Sequence, residues 1–142
     1  GKLPPAFAII NPKQNGDIYP DKDLAGVGIA YKIAEALFGA SDEKQETSDE
    51  SLVTLNSLLD LVALGTVADL APLVGENRVL VRKGLNQIRQ TTRQGLFSLA
   101  SVAEIAIVKT TAMNIGFALG PRLNAAGRLE SALAATRALH LD

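Results

Sequence analysis

Between Leu59 and Leu73 the chain reads LDLVALGTVADLAPL, an apolar run that sets a carboxylate, Asp69, among Ala68, Leu70 and Ala71. A carboxylate held among apolar groups needs a hydrogen-bond network, a cation or a metal ion as partner. Upstream, Leu52, Leu55, Leu58, Leu59, Val62 and Ala63 recur at helical spacing, and Thr47-Ser48-Asp49-Glu50 has the form of a capping box. A buried helix is therefore predicted from near Ser48. Gly65-Thr66 and Pro72 interrupt the run, which puts Asp69 at or just past the helix end, where the backbone can aim a side chain into a site.

The 142 residues, 47% of them hydrophobic, suffice for one domain with a core and exclude a disordered chain. Fourteen basic and 15 acidic residues leave a formal net charge of -1, so any phosphate-binding surface has to be local. The absence of cysteine excludes disulfides and thiolate metal sites, and fits a reducing cytoplasm. Apolar stretches such as Leu61 to Ala68 fall short of the roughly 20 residues a membrane span needs. The chain opens Gly1-Lys2-Leu3-Pro4-Pro5 without an initiator methionine and is expected to be an excised piece.

Ala6 to Ile10, between Pro4-Pro5 and Asn11-Pro12, reads as one buried strand, and Ile105 to Lys109 is the candidate for a second. Asn11 to Asp23 carries turn chemistry in Pro12, Asn15-Gly16 and Pro20. Leu24 to Phe38 reads as a helix ended by Gly39, and Ser41 to Glu50 as a solvated connector. Asn77 can cap a helix with Val81, Leu85 and Ile88 along one stripe. Leu96 to Ala103 suggests another helix. Thr110 or Thr111 can cap one that runs through Leu119 and ends at Gly120-Pro121, and a last helix spans about Arg128 to Leu139.

Gly26-Val27-Gly28 could receive a phosphate on free backbone N–H groups, but it lacks a third glycine at fingerprint spacing, and close helix packing explains it as well. Arg78, Arg82, Lys83, Arg89 and Arg93 could touch a nucleic-acid backbone or form a solvated helix face. His140, the only histidine, sits where a cation is favourable beside a helix C-terminus. Gly120 to Leu129, GPRLNAAGRL, sets Arg122, Asn124 and Arg128 among very small side chains. Such a surface suits a bulky anion, because guanidinium forks match phosphate oxygens. The alternative is that the arginines tie helix ends and pair with Glu130 or Asp69.

Three segments together, Asn11-Pro-Lys-Gln with Tyr19-Pro and LAGVGIAYK to Lys32, Ala63-Leu-Gly-Thr-Val-Ala-Asp69 with Pro72-Leu73 and Glu76-Asn-Arg78, and Gly120 to Leu129, resemble the DHH phosphoesterase family and within it the RecJ-type exonucleases. The resemblance implies a metal-dependent 5′-to-3′ exonuclease specific for single-stranded DNA. It implies an α/β fold of DHH type, of which this piece would be a predominantly α-helical fragment with one or two short strands. Residues 1–75 would be the end of the catalytic domain and 76–142 a helical region leading to the next domain.

The same resemblance implies that Asp69 is the catalytic metal ligand and that Arg122, Asn124 and Arg128 meet the DNA backbone. Manganese or magnesium is the implied cofactor of the full-length enzyme, with none held by the fragment. Single-stranded DNA is the implied partner, with replication and repair proteins beside it and no membrane. The chain lacks an Asp-His-His triplet, an Asp-x-Asp motif ahead of its first apolar run, and a glycine-histidine motif. One carboxylate cannot assemble two-metal chemistry, so the piece alone is expected to be inactive. A relative that is catalytically silent and serves as a scaffold in replication or repair is the rival reading.

Overall fold

Leu59–Ala68 forms a helix, α2, that apart from Asp60 and Thr66 is apolar on all sides, and such a helix is stable only when neighbours cover it. The computed structural model, which describes residues 4–41 and 55–129, surrounds it in that way. The side chains of residues 39–41 and 126–129 lie outside that description. On one side Leu59 and Val62 pack with Leu24, Tyr31, Leu55 and Leu80. On the other, Ala63, Leu64 and Val67 pack with Val81, Ile88, Leu96, Ile115 and Leu119. Ile88 and Ile115 are fully buried, so truncating either to alanine should cost about 2–5 kcal/mol.

The first helix, α1, spans Gly26–Ser41. It starts two residues later than the sequence pattern indicates, and the Ala25 N–H just ahead of it donates to the Asn77 side chain at 3.0 Å. It also runs on past Gly39, as an interior glycine costs only about 1 kcal/mol. The connector and the Thr47 to Glu50 capping box lie outside the described residues, and the helical residues 55–57 lead into α2.

Helix α3, Gly75–Ile88, crosses α2 at Gly84, where a Cβ would strike the Leu59 carbonyl oxygen. Its N-cap is Val74, so Asn77 does not cap it as the pattern indicated. Asn77 is instead fully buried, and its Nδ2 donates to the carbonyls of Asp23 at 2.7 Å and Pro72 at 3.0 Å. Together with the bond from Ala25 N–H, this latches the loop before α1 onto α3. Asp21 closes the start of α3 by accepting from the Glu76 N–H at 2.7 Å. Gly75, at φ +49, leaves room for that carboxylate.

The expected strands are absent from the described residues, so no α/β layering is seen there. Residues 6–10 carry no ladder, Phe7 is wholly exposed, and the Ile9 carbonyl accepts from Gln14 Nε2 at 2.9 Å. A strand needs a neighbour for its N–H and C=O groups, and none lies alongside among the described residues. Of the candidate second strand, Ile105 to Lys109, the residues Ile107–Lys109 form a single 3-10 turn after helix α4, Gln94–Val102. None of the described helices is long and apolar enough to cross a membrane.

Thr111 caps the next helix reciprocally: its Oγ1 accepts from the Asn114 N–H at 3.2 Å while Asn114 Oδ1 accepts from the Thr111 N–H at 2.9 Å. Gly120-Pro121 does not end this helical stretch. Helix α5, Ala112–Asn114, passes through a π turn, Ile115–Leu119, into helix α6, Gly120–Leu129. The Gly120 N–H reaches back to the Ile115 carbonyl, five residues away. This wider spacing sets Pro121 in the first turn of α6, where a proline lacks nothing it needs.

Candidate functional site

Asp69 is the C-cap of α2, and its N–H returns to the Gly65 carbonyl at 3.0 Å. The Leu70 N–H bonds the Val67 carbonyl at 3.1 Å, and the Ala71 N–H bonds that of Thr66 at 3.2 Å. This pair of bonds is a Schellman motif, and the residue it holds left-handed is Leu70, at φ 56, not a glycine. A leucine there is strained by about 1 kcal/mol. The turn swings the chain away and leaves the Asp69 side chain exposed, with no partner among the described residues. The apolar surroundings read from the sequence are thus next to Asp69 along the chain but do not enclose it.

The GPRLNAAGRL segment starts against the same helix end. A Cβ on Gly120 would lie 3.2 Å from the Ala68 Cβ and 3.0 Å from the Ile115 carbonyl oxygen. Gly116 faces Val67 in the same way, 3.6 Å from its Cγ1. The two motifs, distant in sequence, therefore meet where Ala68 seats on Gly120, and the π turn forms the seat. Arg122 is exposed, and its Nη1 donates to the Ala118 carbonyl at 3.0 Å, leaving the rest of the fork without a partner among the described residues. Asn124 is exposed too. Residues 124 and 128 share a face of α6, while residue 122 lies about 120° around the axis from 128. The side chain of Arg128 lies outside the described residues, as do Glu130, the last predicted helix beyond Leu129, and His140.

Two constellations go beyond the sequence reading. Asp60, only 1% exposed, is the buried carboxylate of α2: its Oδ2 accepts from Thr91 Oγ1 at 3.1 Å and from Arg93 Nε at 3.0 Å. Arg93 therefore leaves the basic cluster for the interior. The signal for Asp60 was the one noticed at Asp69, a lone carboxylate between apolar neighbours, here Leu59 and Leu61. The second is a surface latch. Tyr19 Oη donates to Glu76 at 2.8 Å, and Lys32 pairs with Glu35 at 3.0 Å and Glu76 at 3.6 Å. Desolvation, helped by the Glu76 bond, pushes the Tyr19 phenol up. The Glu35 hydrogen bond raises Lys32. Much of the first two motifs thus joins α1 to α3. Gly28, likewise, is buried, its would-be Cβ 2.8 Å from Leu24 Cδ1, which rules it out as a phosphate cradle.

Among the described residues no three His, Cys, Asp or Glu side chains gather as a metal ion requires. Asp69, a single carboxylate, can supply one ligand and does not make a whole metal site among the described residues.

No family model matches the chain. It is 47% identical over 131 residues to the single-stranded-DNA-specific exonuclease RecJ of Bacillus subtilis, covering 92% of this chain and 15% of that protein. It is 47% identical over 131 residues to RecJ of Escherichia coli, covering 90% and 23%. RecJ of Thermus thermophilus is 34% identical over 142 residues, covering 100% and 19%. A crystal structure of the exonuclease RecJ bound to manganese superposes with a TM-score of 0.66 at 31% identity, covering 98% of this chain and 32% of that one. The chain is thus RecJ-like in sequence and in fold, and spans 15% to 23% of the length of the RecJ exonucleases it matches.

Proposed function

We propose that these residues form one wall of the active site of a metal-dependent exonuclease that acts on single-stranded DNA. The observation that carries the reading is the seat of Ala68 on Gly120, which sets an exposed carboxylate, without a partner among the described residues, beside an arginine-bearing helix. Asp69 would be one ligand of a manganese or magnesium ion. A bound divalent cation in such a site supplies polarisation of the phosphodiester and activation of water. Arg122 uses the open part of its fork, and Asn124 and Arg128 the other face of α6, to hold backbone phosphates without reading bases. Residues 1–75 belong on this reading with the catalytic domain and 76–142 with the helical region beyond it. α2 and α3 share both cores across that boundary. The setting is the cytoplasm, with replication and repair proteins as further partners.

The test is an exchange: these residues replace the matching segment of the Escherichia coli exonuclease. The expected result is chelator-sensitive digestion of a 5′-labelled single strand. A folded hybrid that binds metal and DNA but does not digest it would favour the silent scaffold.

A further inference from the structure

Three arginines of the basic cluster, which the sequence leaves open as nucleic-acid contacts or as a solvated helix face, line a single groove. Arg78, Arg82 and Arg89 border a space of about 500 Å³ whose apolar side includes Val81 and Leu85, with Asn86 between the cations. All lie along one stripe of α3, over about 16 Å from Arg78 to Arg89. No carboxylate lines the groove, and neither Arg78 nor Arg82 has an ion-pair partner among the described residues. The acid of α3, Glu76, is engaged with Tyr19 and Lys32. Like charges four residues apart on a helix disfavour it by about 0.2–0.5 kcal/mol, a cost that an anion bridging Arg78 and Arg82 relieves. Arg89 is already placed, its Nε donating to the Thr110 carbonyl at 3.1 Å and its Nη1 to Asn86 at 3.3 Å. Low-dielectric walls beneath three cations focus the field, although the whole chain carries a net charge of -1.

We infer that this groove carries the sugar-phosphate backbone of single-stranded DNA on its way to or from the site at Asp69 and Arg122. This rests on the function proposed above. A small anion engages one or two neighbouring forks, whereas cations strung along a helix match a polyanion. The guanidinium groups lie over aliphatic side chains and not aromatic ones, so the groove holds phosphates and leaves bases unread. Leu73, which also lines it, lies just beyond Asp69 in the chain, and Ala112 opens the helix that leads to Arg122.

The test measures binding of the 142-residue chain to a labelled 15-mer of thymidine by fluorescence anisotropy, as a function of salt. Arg78→Ala with Arg82→Ala should weaken binding on the order of tenfold and flatten the slope of log affinity against log salt by about 1.4, at about 0.7 per contact. Lys83→Ala, off the groove on the same helix, should change the slope by less than half of one such contact. Arg78→Lys with Arg82→Lys should keep most of the slope while losing part of the affinity, which separates lost contacts from lost folding. An unchanged slope in the alanine variant, or no binding by the wild-type chain at low salt, overturns the inference. So does inorganic phosphate competing as strongly as the oligonucleotide, which would mark a small-anion site. If the groove variants bind normally while the hybrid exonuclease digests DNA, the groove is refuted and the proposed function stands. A groove that binds DNA in a chain whose hybrid is inert gives the reverse.

Discussion

The two ends of α2 carry an aspartate each, and the protein treats them oppositely. Asp60 is 1% exposed and held by Thr91 and Arg93, whereas Asp69 is exposed and has no partner among the described residues. A buried carboxylate without its cation is costly, so Asp60 has to be compensated within the fold. Asp69 needs no such compensation, because the Schellman turn at Leu70 aims it outward. The difference separates a residue that maintains the fold from one that the fold presents. It also shows that apolar neighbours in sequence do not bury a side chain when the backbone turns at that point.

Removing the buried end should have the largest effect. Asp60→Ala takes the carboxylate from the Arg93 guanidinium and the acceptor from the Thr91 O–H in the interior, and should cost about 3–5 kcal/mol in chemical denaturation. A loss below about 1 kcal/mol would mean that the pair is solvated and the contrast between the two aspartates is false. A smaller effect is expected where the outward end is seated. Gly120→Ala pushes a methyl against Ala68 and the Ile115 carbonyl, an overpacking worth about 1–3 kcal/mol. Alanine returns about 1 kcal/mol of helix propensity, so the net loss should be about 1 kcal/mol, a few degrees in Tm. Gly120→Ala in the hybrid exonuclease should nonetheless lower digestion, since it shifts the arginine helix away from Asp69. A stabilised variant with full activity would show that the two motifs do not need close contact.

Helices were legible in the sequence wherever the apolar period was strong, as in α1, α3 and α4, and Thr111 was legible as a cap. Their ends were less so. Leu70 at φ 56 and Glu104 at φ 57 both terminate helices in conformations that favour glycine, so no glycine announces either stop. Gly39 and Gly120-Pro121, which do look like stops, are passed through. At Pro121 the π turn removes the conflict, and a π turn has no sequence signature of its own. Asn77 was misread because capping chemistry and a three-bond tertiary latch use the same amide. A strand at residues 6–10 could not be decided from within the chain, since pairing is a property of two segments. At the candidate site, Asp69 was placed at a helix end as its surroundings indicated. That Ala68 meets Gly120 depended on tertiary packing that spacing does not encode, as did the groove of Arg78, Arg82 and Arg89.

The smallest expected change in stability accompanies the most direct test. Asp69→Asn alters charge but not size at an exposed position, so the 142-residue chain should unfold within about 0.5 kcal/mol of the original. In the hybrid exonuclease the same substitution should lower single-strand digestion by at least about a hundredfold, equivalent to about 2.7 kcal/mol of barrier. A variant that unfolds, or one that stays folded and digests DNA at the unsubstituted rate with its metal bound, would contradict the claim that Asp69 is presented for chemistry.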